Sequence, residues 1–276
     1  MSVVDVGGAR LFFERQGEEG DPIVLIHGSW VDHRTWEPIL PLLAGSMRTL
    51  VYDRRGHGES SGGPRPEPLR TDAEDLAELL VASDHYPVHV VGHSYGGNVA
   101  LRLGVDHPEL VRSLVVHEPA LIGLLDDDPA TQPEAARLRA DVATLTALID
   151  HGRSEEAARE FVNAFAQDPE AWTRLSPEWK RTFVKNASRW REEFADPATE
   201  RPDLLALSEF MSPVLFTEGA LSPPFLHRMS EALRSRMKNA YLVRLPDVGH
   251  FPHLTHPALY VGVLHRFLVE RDVPAM

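Results

Sequence analysis

Gly92-His93-Ser94-Tyr95-Gly96 follows directly on the apolar run Val88-His89-Val90-Val91. A G-x-S-x-G sequence between a strand and a helix reads as a one-residue corner. It holds the serine hydroxyl clear of the sheet and aims the N-terminus of the next helix at it. The glycines two before and two after the serine keep side chains out of the place where chain crosses chain. The pattern fixes local topology and marks Ser94 as a candidate nucleophile at the carboxyl end of a strand.

The rest of the chain supplies the sheet that such a corner needs. Ile23-Val24-Leu25-Ile26 is continuously apolar, as a strand covered by helices on both faces is. Arg48 to Tyr52, Val88 to Val91 and Arg112 to Val116 read as further strands, and Val3 to Val6 with Arg10 to Glu14 flank Gly7-Gly8 as a hairpin. Asp72 to Ala82 puts Leu76, Leu79 and Leu80 on one helical face, and Gly97 to Gly104 is a helix ended by Asp106-His107-Pro108. Strands alternating with helices imply a mostly parallel sheet.

After Pro119 the alternation stops. Pro133 to Ile149, a start at Ser154 before Glu155-Glu156, Pro177 to Trp190 and Pro202 to Phe210 all read as helices. Strand rhythm resumes at Val214-Leu215-Phe216 and at Tyr241-Leu242-Val243. The organisation expected is one sheet domain, residues 1–119 and 211–276, interrupted by a helical insertion at 120–210.

Composition narrows the function classes. The 276 residues are 43% hydrophobic, enough for a real core. A formal charge of −13 disfavours nucleic acid and anionic membrane surfaces as partners. Cysteine is absent, which excludes disulfides and thiolate metal ligands. The first residues include Asp5 and no apolar run suited to a signal peptide or membrane span, so a cytoplasmic location is expected. A homodimer through the insertion is left open, because no patch or register marks one.

A serine hydroxyl needs a base, and the oxyanion formed by its attack needs donors. The corner supplies one donor, the backbone N–H of Tyr95. The second is expected from His27-Gly28-Ser29-Trp30, directly behind the Ile23 to Ile26 strand; Ser29 is preferred, with Trp30 the alternative. His27 starts that loop and His93 flanks the corner, so both read as structural. Of 14 histidines, His250 stands beside Gly249, which permits a close turn after the last strand; His253 and His256 lie nearby.

His27-Gly28, Asp53-Arg54-Arg55-Gly56-His57-Gly58-Glu59-Ser60, Gly92 to Gly97 and Gly249-His250-Phe251 occur in the order found in α/β-hydrolases, and the chain resembles the capped esterase, lactonase and dehalogenase-like members of that superfamily. The resemblance implies an eight-stranded, mostly parallel sheet flanked by helices, with a helical cap inserted after the sixth strand. It assigns the base to His250 and gives Asp53, Arg54 and His57 a loop-bracing role. It also implies a triad acid, commonly an aspartate after the seventh strand. Here that segment is Phe216-Thr217-Glu218-Gly219-Ala220-Leu221-Ser222, without aspartate. Glu118, at the end of the strand beside the nucleophile strand, is the expected replacement, as in some dehalogenases and lactone-hydrolysing relatives. Glu218 is the competitor, and Asp247 is close in sequence but poorly aimed. Asp126, Asp127 and Asp128 read as a solvated entrance to the cap.

The expected pocket is apolar, lined by Trp30, Tyr95, Leu121 and Phe251 with one or two aromatic residues of the insertion, while most of Leu138, Leu145, Phe165, Trp172, Trp179, Phe183 and Trp190 serve the insertion's own core. Serine rather than aspartate at the corner argues against the usual dehalogenase and epoxide-hydrolase chemistry. The function expected is a catalytic triad of Ser94, His250 and Glu118 cleaving an ester or lactone of a small-molecule substrate, without cofactor or metal. Cleavage of a C–C or amide bond by the same groups is the enzymatic alternative. A non-catalytic small-molecule receptor is the other class.

Overall fold

The computed structural model describes residues 2–270. Eight strands form one sheet: β1 (Ser2–Val6), β2 (Ala9–Gln16), β3 (Asp21–Ile26), β4 (Met47–Tyr52), β5 (Val88–His93), β6 (Val111–His117), β7 (Val214–Gly219) and β8 (Ala240–Leu245). Their order is β1-β2-β4-β3-β5-β6-β7-β8. β2 is antiparallel to β1 and β4; the other neighbours are parallel.

The side-chain period of two explains the continuous apolar runs. Val24, Ile26, Val90, Leu114, Val116 and Phe216 share one buried cluster with the helices Pro68–Ala82 and Tyr95–Asp106. Ile23, Leu25, Val91, Val115, Leu215 and Val243 share another with Leu40–Leu43 and the C-terminal helix Pro257–Leu268. Both faces are covered, so each strand residue has a side to bury. Truncating such a leucine or isoleucine to alanine costs about 2–5 kcal/mol.

Parallel strands end at one edge. The loops after β3, β4, β5, β6, β7 and β8 therefore gather there, as ligand-binding loops do in open parallel sheets. The chain between β6 and β7 crosses that edge without forming a strand among its described residues. It forms a 3₁₀ turn at Ile122–Asp127 and helices at Gln132–Asp150, Ser154–Ala166, Ala171–Arg174, Pro177–Ala195, Pro197–Glu200 and Leu204–Glu209. Packing crosses the compositional limits of this insertion. Leu121, Ile122, Leu124, Leu125, Leu207 and Phe210 belong to the core under the sheet. Conversely Trp30, from the loop after β3, is buried among Trp172, Phe183 and Trp190 of the insertion. No helix of the described residues is long and apolar enough to cross a membrane.

Candidate active site

Ser94 sits at φ 55°, ψ −122°, between β5 and the helix that begins at Tyr95. That conformation costs a non-glycine residue about 1–3 kcal/mol and persists because its surroundings enforce it. A Cβ at Gly92 would lie 2.2 Å from the carbonyl oxygen of Gly96, and one at Gly96 would lie 2.3 Å from that of Ile26. Neither position accepts a side chain. The Ser94 N–H donates to the His117 carbonyl at 2.8 Å, fastening the corner to β6. As the first residue of its helix, Tyr95 has a backbone N–H with no partner in a preceding turn.

The last residues of β6 and the loop after β8 meet beside this corner. Glu118 Oε2 is 2.6 Å from His250 Nδ1, and Glu118 Oε1 accepts from the Gly219 N–H at 2.7 Å. Glu118 is itself at φ 45°. Burial opposes its charge, yet His117, His250 and the facing Ser222 hydroxyl hold its carboxyl down at about 2. An ionised carboxylate only accepts, so the proton lies on Nδ1 and leaves Nε2 as an acceptor. His250 Nε2 is buried without a hydrogen-bond partner. His250 and Ser94 line the same cavity, with Ser29, Trp30, Phe161, Phe183 and Phe251 around them.

The other candidates are engaged elsewhere. Glu218 Oε1 accepts from Arg244 Nε at 2.6 Å. His253 Nε2 meets the Thr35 hydroxyl at 2.8 Å, and His256 Nδ1 meets that of Thr255. His93 Nε2 donates to the His250 carbonyl at 2.7 Å, so it braces His250 from behind. His27 Nδ1 donates to the Gly28 carbonyl and its Nε2 accepts from the Arg54 N–H, while burial, with Arg54 beside it, lowers its pKa to about 4. A ring neutral in both folded surroundings and hydrogen bonding fits bracing. Asp53 accepts from the His33 and Glu59 N–H groups at 2.8 Å each, which folds the loop after β4 onto that after β3.

Residues 23–263 match the alpha/beta hydrolase family. The chain belongs to that family. A pimeloyl-[acyl-carrier protein] methyl ester esterase of Neisseria meningitidis serogroup B is 30% identical over 260 residues, covering 90% of this chain and 92% of its own. The enol-lactonase of Burkholderia xenovorans LB400 superposes with a TM-score of 0.75 at 19% identity, covering 97% of this hydrolase and 99% of its own chain. Est816, described as an N-acyl homoserine lactone degrading enzyme, gives 0.74 at 22% identity, covering 97% and 100%. At those identities the two structures speak to fold alone.

Two pocket expectations need correction in this alpha/beta hydrolase. Leu121 does not line the Ser94 cavity; it lines another, with Leu69, Asn98, Leu101 and Leu207, because its side chain turns down into the core of the sheet. The Tyr95 side chain is also absent from the cavity: it is fully buried with its ring 4.7 Å from the Arg54 guanidinium carbon. Trp30 and Phe251 do line it. The insertion contributes Phe161 and Phe183, and the Phe165 ring lies 5.1 Å from that of His250. The acidic triplet is solvated, with Asp127 and Asp128 exposed and Asp126 partly so, and two of its members are ion-paired at the surface. Asp126 pairs with Arg139 at 2.6 Å, and Asp127 pairs with Arg201 and Arg236.

Among the described residues two side-chain groups have metal-ligand spacing, His93-His117-His250 and Asp32-His33-Asp53. Both are tied into the protein. His250 Nδ1 is held by Glu118, His117 Nδ1 lies 3.0 Å from the Thr217 hydroxyl, and His33 Nδ1 lies 2.8 Å from Asp53.

Proposed function

We propose that this protein hydrolyses a carboxylic ester or lactone of a fairly apolar small molecule through an acyl-enzyme on Ser94. The observation that carries the reading is the Glu118–His250 contact of 2.6 Å, which leaves an unpartnered Nε2 on the cavity that Ser94 lines. His250 Nε2 takes the Ser94 proton as Oγ attacks the carbonyl carbon. The oxyanion is received by the Tyr95 and Ser29 N–H groups. The tetrahedral adduct collapses, and the leaving oxygen departs with the proton from His250. His250 then deprotonates water, which attacks the acyl carbon; a second collapse returns the proton to Ser94 and releases the acid. Glu118 stabilises the imidazolium in both halves without taking its proton. Ester chemistry is also what the relative's name describes, and bulky aromatic walls suit an apolar substrate.

The cavity holds about 10 Å³, room for roughly one water. Any acyl group is larger than one water, so binding requires a wall residue such as Phe161 or Phe183 to turn aside. Hydrolysis of a panel of aryl esters and lactones, with Ser94→Ala and His250→Ala as comparisons, tests the proposal. Each variant is expected to stay folded by circular dichroism and to lose at least a thousandfold in kcat/KM. Most of the activity surviving in either folded variant contradicts the assignment.

A further inference from the structure

Every carbonyl from His27 to Val31, in the loop after β3, is held by a donor outside the loop. Arg54 Nε donates to His27 O at 3.2 Å and an Arg54 terminal nitrogen donates to Gly28 O at 3.0 Å. His57 Nε2 donates to Ser29 O at 3.0 Å. Asn186 Nδ2 reaches both Trp30 O and Val31 O at 3.1 Å. In a planar trans peptide the N–H points opposite to the carbonyl of the preceding residue. Fixing Gly28 O on Arg54 therefore aims the Ser29 N–H away from Arg54, and Ser29 lines the cavity with Ser94.

Arg54 is in turn fixed from two sides. Its other terminal nitrogen is 2.6 Å from Asp72 Oδ2, on the helix Pro68–Ala82, and 2.7 Å from Glu193 Oε1, in the insertion. All three side chains are fully buried. Arg65 completes the group at 2.7 Å from Asp72, giving two buried cations and two buried anions. Glu193 also faces the Ser29 hydroxyl. Asn186 and Glu193 lie seven residues apart on the helix Pro177–Ala195, hence on one face, two turns from each other.

We infer that the inserted helix Pro177–Ala195 sets the direction of the Ser29 oxyanion donor, with Glu193 acting through Arg54 and Asn186 through the Trp30 and Val31 carbonyls of the same loop, both as positioning residues. The inference rests on the hydrolase reading above and adds that the insertion does more than cover the site. Seating this helix and aiming the Ser29 N–H become one event. A helix that serves only as a wall of the pocket changes KM. One that aims an N–H at the oxyanion changes kcat, because the donor acts on charge that appears only in the transition state.

The test uses the full-length Asn186→Leu variant, which keeps the branched shape of the side chain and removes the donor. It is read by steady-state kinetics on a short-chain aryl ester and by the second-order rate of fluorophosphonate labelling, since the phosphoryl oxygen occupies the same donors without turnover. The expected result is a fall of about 10- to 100-fold in kcat and in labelling rate, below the ~10²–10³ of losing a donor outright, with KM within about threefold. Glu193→Ala is the second variant, with Glu193→Gln, which keeps an acceptor for Arg54, recovering most of the loss. Melting curves establish that each variant is folded at the assay temperature, and if Asn186→Leu is not, the Glu193 pair decides. Folded variants with wild-type kcat, or with only KM raised, overturn the inference while leaving the hydrolase reading intact. A wild-type protein that neither labels nor turns over any ester removes both.

Discussion

Glu118 and Ser94 are both non-glycine residues at positive φ, at the ends of adjacent strands. Strain of this kind persists where surroundings over-determine it, and here it turns one side chain toward His250 and the other into the cavity. Glu118→Gln keeps the shape and removes the charge that opposes the imidazolium. A loss of about 3–5 kcal/mol in transition-state stabilisation is expected, by comparison with the acid of serine proteases. Glu218→Gln breaks the pair with Arg244 and is expected to change kcat/KM less than threefold. Parallel kcat/KM measurements on the two variants check this; a larger loss at Glu218 reassigns the acid. The candidate acid was legible because a missing aspartate after β7 directed attention to the neighbouring strand end. Asn186 and Glu193 were not. The helix expected there ends at Trp190, short of Glu193, and a buried glutamate is rare without a partner that only the fold reveals. The 4- and 3-residue steps through Asn186, Trp190 and Glu193 were the available signal, since they share the face that packs on Trp30.

At the scale of elements, the sheet was readable and the insertion only in outline. Strands buried on both faces write themselves as apolar runs, so β3, β5 and β6 were placed to within a residue or two at each end. The helix at Ser154 begins with Arg153 as cap and no side-chain cap bond, so the serine there is the first helical residue rather than the cap. The destination of the insertion's aromatic residues was not readable, because spacing gives a face but not what it meets. Phe161 is the consequential case. Its ring lies 5.0 Å from that of Trp30, tilted against it, and closes the cavity from the helix Ser154–Ala166. Phe161→Ala is expected to raise kcat/KM for a long-chain ester relative to a short-chain one by roughly tenfold, since each extra buried methylene contributes about 0.8 kcal/mol. A chain-length series with aryl esters measures it; an unchanged ratio places the acyl group elsewhere.

Over the whole molecule, the histidines tie stability to pH. Burial, foremost, pushes His27 and His117 down to about 4 and His57, His93 and His253 well below their usual 6.5. The unfolded chain binds protons at these sites below pH 6.5 and the folded chain does not. Stability therefore rises with pH between about 4 and 6.5, with a limit of about 1.4 kcal/mol per pH unit for a single ring that is fully protonated only in the unfolded chain. His33, raised by Asp53 against its own burial, works in the opposite sense. The melting temperature is expected to drop steeply from pH 6.5 to 4.5, and a flat profile there contradicts neutral burial. The same buried histidines stand around the proposed machinery: His93 behind the base, His117 beside the acid, His57 on the oxyanion loop. Intact-mass spectrometry after treatment with a fluorophosphonate measures the nucleophile directly. One adduct per chain is expected, mapped to Ser94, absent in Ser94→Ala and formed at least a hundredfold more slowly in His250→Ala. No adduct on the folded wild-type protein, or an adduct that persists in Ser94→Ala, would contradict the Ser94 assignment.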